Sequence, residues 1–173
     1  MPSLKFGSLV DDDGNPFDIP GLEVDPKRRP CHIVVTLRGV YYAGDNVGST
    51  WRFVVAIDGA MWVSPTITLQ HEEFHPIGER VYDRVKEHGC GMTHLLVRSI
   101  HAREMDGIFF LDDKGQRHDT TAITCSEEGS QRRDIVTVPV AEYPALLSRW
   151  PFRRVRNTAL LIFFFEIEAR CTG

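Results

Sequence analysis

The chain has no apolar stretch near the roughly 20 residues that a helix needs to cross a bilayer. Its opening residues, Met1-Pro2-Ser3-Leu4-Lys5-Phe6-Gly7, also lack the long apolar core of a secretory leader. The expectation is a protein without a transmembrane segment, made and kept in the cytoplasm. Basic surplus is missing too: 20 Lys and Arg stand against 24 Asp and Glu, a formal net charge of -4, so nucleic acid is not an expected partner. Local basic groups, Lys27-Arg28-Arg29, Arg132-Arg133 and Arg149 to Arg156, read as solvated loop charge. Cysteine is sparse. Cys31, Cys90, Cys125 and Cys171 form no C-x-x-C pair, and in a reducing compartment four free buried thiols are expected over disulfides or a cysteine zinc site. The chain has no internal repeat, low-complexity tract, glycine-rich phosphate loop, G-x-S-x-G elbow or cysteine-nucleophile signature.

What is present is dominated by a stretch near the carboxyl end, Asn157 to Arg170. Period two places Leu161, Phe163, Phe165, Ile167 and Ala169 on one face. Leu160, Ile162 and Phe164 share the other, followed there by Glu166 and Glu168. Such a strand belongs in the middle of a sheet, or in a sheet whose second face is covered.

At 173 residues the chain fits one domain with one substantial core. Residues 1–30, with their prolines and acidic turn, read as an extended amino-terminal arm ahead of a domain over 31–173. From Cys31 the pattern turns to strands: 32–42, then Trp51 to Ile57, then Asp58-Gly59 and Ala60 to Val63, a strong hairpin signal. Thr66 to Leu69 is a short β run. Gly78 to His88 leans to strand, and Thr93 to Ala102 is a strand whose alternation Leu96 alone interrupts. Asp106 to Asp119 reads as a polar loop. Ile135 to Val140 reads as a strand that ends or lies on an edge, because Pro139 has no N–H for a ladder. Tyr143 to Trp150 has room for a turn or two of helix. The fold class is therefore all-β: an antiparallel β-sandwich of about eight strands with an irregular amino-terminal arm and little helix.

One motif points to chemistry. His71-Glu72-Glu73-Phe74-His75 matches H-E-x-x-H, in which two histidines one helical turn apart bind zinc and the glutamate activates the bound water of a metalloprotease. Three features oppose it. The residues before His71 alternate like a strand, Pro76 pushes His75 out of the helical region, and Val81 stands where a third histidine would fall. On a strand, His71 and His75 would lie roughly 13 Å apart, too far to share one ion. His88, Cys90 and His94 form a second small cluster with no common metal-site spacing.

Acidic turns offer an alternative cofactor, calcium. Asp45, Asp106, Asp112 and Asp113 lie between strands, and the loops of a sandwich gather at its ends, where oxygen ligands suit a hard cation. In that pattern, over about Cys31 to Val140, the chain resembles the calcium-dependent membrane-binding β-sandwich family, which would imply ion-linked membrane association. The preferred expectation is different: a non-enzymatic interaction module with no cofactor, binding a protein partner or self-associating. It rests on surplus aromatic and arginine side chains, Phe109, Phe110, Trp150, Phe152 and Arg153, together with the second face of the last strand.

Overall fold

The computed structural model describes residues 28–105, 113–142 and 157–173. Among the described residues are nine strands: β1 (Cys31–Gly44), β2 (Thr50–Ile57), β3 (Ala60–Val63), β4 (Ile67–Thr68), β5 (Phe74–Lys86), β6 (Thr93–Glu104), β7 (Lys114–Thr124), β8 (Ser130–Ala141) and β9 (Thr158–Cys171). The all-β antiparallel expectation holds, and no helix occurs among the described residues. The amino-terminal arm up to residue 27 and the stretch from Tyr143 to Trp150 lie outside them.

Every ladder belongs to one sheet of order β3-β2-β6-β7-β8-β9-β1-β5, with β4 also pairing β2. The sheet curls into a nearly closed barrel with two seams. At one, β7 and β8 share a single pair, Lys114 with Ala141; at the other, β3 and β5 approach without a ladder. The leaf β3-β2-β6-β7 therefore packs against β8-β9-β1-β5 across a common core, the layered arrangement the strand pattern implies. Phe53 meets Phe163 edge to face at 5.1 Å, and Tyr42 meets Trp51 at 5.4 Å. The Asp58-Gly59 hairpin forms as expected, with both residues at positive φ (45° and 80°).

The last strand sits centrally, between β8 and β1. Its inward set, Ala159, Leu161, Phe163, Phe165, Ile167 and Ala169, is buried to 2 % exposure or less. Pro139 lies on β8, whose far side has only the one ladder contact, so its missing N–H costs no sheet bond there.

Three expectations change. First, no cysteine is free: Cys31 pairs with Cys125 and Cys90 with Cys171. The wide spacing hid this because the fold gathers four distant segments at one end of the barrel, where Cys171 N donates to Ser126 O and Gly91 N to Cys125 O. Second, Lys114 to Asp119 is not loop but the first half of β7, fully paired with β6. Its polar sequence fits a strand with an exposed outer face and an inner face that opens on a seam. Third, β6 has Leu96, Arg98, Ile100, Ala102 and Glu104 on its inner side, while Leu95 and Val97 are 67 % and 61 % exposed. The side chain that misleads is Arg98, which is buried.

Arg98 closes the β7–β8 seam where backbone pairing fails. Its Nε donates to Asp119 Oδ1 (2.9 Å) and its Nη2 to Asp119 Oδ2 (2.7 Å) on β7; Nη2 also reaches Asp134 Oδ2 on β8 at 3.4 Å. The guanidinium carbon stands 4.6 Å from the centre of the Phe165 ring. Burial pushes the Asp134 carboxyl upward, but the neighbouring Thr121 hydroxyl, the bond from Arg132 and the charge of Arg98 outweigh it and hold it below the ordinary range. Removing one member of such a cluster strands the others. Arg98→Ala is expected to lower stability by about 3–5 kcal/mol, read from urea unfolding. The double substitution Cys31→Ser with Cys125→Ser, which releases a bridge across 94 residues, is expected to lose about 2–5 kcal/mol on the same measurement.

Candidate functional site

The outward side of β8-β9-β1-β5 presents an apolar strip with charged side chains at its margin. It exists because β9 is apolar on both faces up to Phe164. Leu160, Ile162 and Phe164 point away from the core and are half-buried. Register places Pro139, Thr137 and Ile135 of β8 beside them on one flank and Ala43, Tyr41 and Gly39 of β1 on the other.

The β1 flank depends on a bulge. Leu37 pairs with Phe165 and Gly39 with Phe164, so Arg38 is an extra residue that inverts the alternation of the strand. Before it, Ile33, Val35 and Leu37 point inward; after it, Val40 and Tyr42 do. Gly39 thereby lands on the outer face. A Cβ there would stand 2.3 Å from Phe74 Cζ, so the Phe74 ring occupies the space a side chain would need. Phe74 then meets Phe164 edge to face at 5.5 Å, and Ile135 continues the strip at 66 % exposure. Together with Arg38, Arg133 and Glu166 they line a groove of about 560 Å³.

Glu166 marks the polar end of the groove. Its side chain is 9 % exposed, paired tightly with Arg38 Nη2 and at 3.9 Å with Arg133 Nε. The Arg38 hydrogen bond holds the carboxyl below its ordinary range, burial opposes this, and Gln131 and Arg133 reinforce it. Asp134, the other carboxylate of the groove, is also held low. Both are ion-paired and poor proton acceptors at neutral pH, so what the groove offers is apolar contact bounded by fixed charge.

The residues of the H-E-x-x-H motif do not make a helix. His71 and Glu72 lie in a turn, Glu72 at φ 61°, and Phe74 and His75 open β5, with His75 paired to Val40. His71 Nε2 donates to Gly44 O (2.7 Å) and its ring packs edge to face on Tyr42 at 5.1 Å, a role in fixing the turn. The two imidazoles share no helical face, which corrects the zinc-site geometry. Of the calcium candidates, Asp45 Oδ2 accepts from Thr158 N (2.8 Å) at the start of β9, and Asp113 is buried at 3 % exposure; Asp106 and Asp112 lie outside the described residues. No group of three or more His, Cys, Asp or Glu among the described residues is arranged to hold a metal ion. Cys90 is in a disulfide, His94 Nε2 bonds Gly89 O and His88 Nδ1 bonds Arg28 O, so that cluster has structural partners.

Phe109, Phe110, Trp150, Phe152 and Arg153 also lie outside the described residues. The second face of β9 is where expected, and Phe74, Gly39 and Ile135 complete it. A sequence signal for them existed: a glycine inside a β run, such as Gly39, marks a bulge or a close approach. No protein-family model matches the chain, and no curated protein matches it.

Because the Glu166 carboxyl titrates lower in the folded chain than in the unfolded one, its contribution is full above the unfolded carboxylate pKa and disappears as pH falls through the folded value. Glu166→Gln is therefore expected to be less stable than the parent at neutral pH, with the difference shrinking toward strongly acid pH. Urea unfolding across a pH series checks this.

Proposed function

We propose that the protein is a non-enzymatic interaction module that self-associates through the outer face of β8-β9-β1. The observation that carries the reading is the continuous outward strip formed by Ile135, Phe164 and Phe74, with Ile162 and Tyr41 in the adjoining row. Fully burying one such side chain is worth about 1.5–3 kcal/mol, so a few suffice to drive association. Aromatic rings flanked by arginine match the composition of interface hot spots.

A second copy is the preferred occupant because the face has both charge signs at its margin, Arg38 and Arg133 beside Glu166 and Glu168. Under a two-fold axis an apolar strip with mixed charge alongside can be its own complement. Trp150, Phe152 and Arg153 belong by sequence to the connection between β8 and β9, the two strands that contribute most of the strip. The paired cysteines favour an oxidising compartment over the cytoplasm as the place where this happens.

Ile135 is exposed and makes no core contact, so Ile135→Asp is expected to leave the fold and melting temperature nearly unchanged while weakening self-association by about tenfold or more, since one buried aliphatic side chain exceeds the 1.4 kcal/mol of a tenfold change. Sedimentation equilibrium of parent and variant reads the effect. A parent chain that stays monomeric over the whole accessible concentration range would end the proposal.

A further inference from the structure

The four cysteines of the chain gather at one end of the barrel, and the two bridges they form touch. Cys125 Sγ of the Cys31–Cys125 bridge stands 4.0 Å from Cys171 Sγ of the Cys90–Cys171 bridge. Backbone bonds fix that contact from both sides. Cys171 is the ladder partner of Cys31, and its N–H donates to the carbonyl of Ser126, next to Cys125, at 3.1 Å. Cys125 in turn is held by Gly91 N, which donates to its carbonyl (3.0 Å), and by Met92 O, which accepts from its N–H (2.8 Å). Cys171 therefore sits beside both members of the bridge to which it does not belong.

The two bridges differ in access. Cys31 and Cys125 are 0 % and 1 % exposed, whereas Cys90 and Cys171 are partly exposed. A thiolate donor must reach a sulfur to break its bond, so reduction begins at Cys90–Cys171. It leaves a Cys171 thiolate in contact with Cys125 Sγ. A sulfur held in that place attacks as a tethered reagent, at an effective concentration of about millimolar or more.

We propose that the four cysteines form a thiol–disulfide exchange site whose electron donor is a dithiol and whose half-reduced form carries a Cys125–Cys171 bridge. One thiolate of the donor attacks Cys90 Sγ, the Cys90–Cys171 bond breaks, and Cys171 leaves as a thiolate. The donor's second thiol displaces Cys90 from the mixed disulfide, which oxidises the donor to a disulfide. The Cys171 thiolate then attacks Cys125 Sγ: the Cys125–Cys171 bond forms, the Cys31–Cys125 bond breaks, and Cys31 leaves. The two protons that the donor loses end on Cys90 and Cys31. Two electrons have passed to the protein and two bridges have become one. The new bridge closes 46 residues where the old ones closed 94 and 81, and β1 is left held by its ladders alone.

The test is limited reduction of the dilute full chain with one equivalent of dithiothreitol, then acid quench, labelling with N-ethylmaleimide and mass spectrometry of the unreduced peptides. The expected product is a Cys125–Cys171 linked peptide with label on Cys31 and Cys90. Label on Cys90 and Cys171 with Cys31–Cys125 intact, or absence of any Cys125–Cys171 peptide, overturns the site. So does a Cys125–Cys171 peptide found only in covalent dimers. Two variants separate the Cys171 thiol from the loss of its bridge, because Cys90→Ser and Cys171→Ser each remove Cys90–Cys171 but only the first keeps Cys171. Purified without reductant, Cys90→Ser is expected to show the Cys125–Cys171 peptide, with label on Cys31 about tenfold or more above that in Cys171→Ser, which lacks the tethered thiol. Equal labelling of Cys31 in the two variants overturns the site. Circular dichroism checks that both keep the sheet, and where one does not, the parent chain decides.

Discussion

Two neighbouring strands that stop pairing after one residue leave a slot in the wall of the barrel, and a buried guanidinium fills it. β7 and β8 share only the Lys114–Ala141 pair, so their inner edges cannot satisfy one another through the backbone alone. Arg98 supplies a substitute: a forked bond to Asp119 on one strand, a longer bond to Asp134 on the other, and the Phe165 ring beneath. Arg132 adds a bond to Asp134 Oδ1 (2.8 Å) and another to Ala122 O (3.1 Å), again reaching across the slot. Burying this charge is tolerable only because it is paired with a carboxylate on each strand. The second seam is treated similarly at lower cost. Asp58 of the β2–β3 turn accepts from Val97 N, Tyr82 OH and Lys86 Nζ, which ties that turn to β5 without a ladder.

Side-chain closure has a consequence for the surfaces. A fully laddered barrel of this length would present even, convex walls. Here each leaf keeps its own curvature, and concave places arise where a glycine allows two parts to approach. Gly39 seats the Phe74 ring and so shapes the apolar groove; Gly115 seats the Pro139 carbonyl and so lets β7 and β8 meet at their one paired position. Neither glycine has a positive φ, so what each contributes is space. The disulfides act at the far end of the barrel from Gly115, where Cys31–Cys125 and Cys90–Cys171 bind together segments of both leaves, with Cys125 Sγ and Cys171 Sγ 4.0 Å apart.

Much of the fold was legible from period two and turn chemistry. β1, β2, the Asp58-Gly59 turn, β5 and the double-faced β9 follow from alternation that their surroundings respect. Alternation failed where a polar residue faces inward for a tertiary reason. On β6, Arg98 and Glu104 occupy core positions while Leu95 and Val97 face out, so the apolar residues suggest the wrong phase. On β7, Asp119 faces the seam, and a strand with so few apolar residues resembles loop. The cysteine pairing was illegible for another reason: separations of 94 and 81 residues state nothing about which ends of which strands meet. In the candidate site, the outward half of β9 could be read directly. The Phe74–Gly39 contact could not, because it depends on the bulge at Arg38.

The H-E-x-x-H match shows how local chemistry decides between two readings of the same letters. A zinc site needs both histidines on one turn of helix, which requires helical φ at every intervening residue. Glu72 is instead left-handed, and Pro76 follows His75, so the segment turns once and then extends into β5. That turn serves the sheet: Glu72 N donates to Tyr42 O and Tyr42 N to Glu73 O, which aligns the start of β5 with the end of β1. The same alignment delivers Phe74 onto Gly39. The residues that imitate a metalloprotease motif are thus the ones that build the apolar groove, and a helix at 71–75 would abolish it.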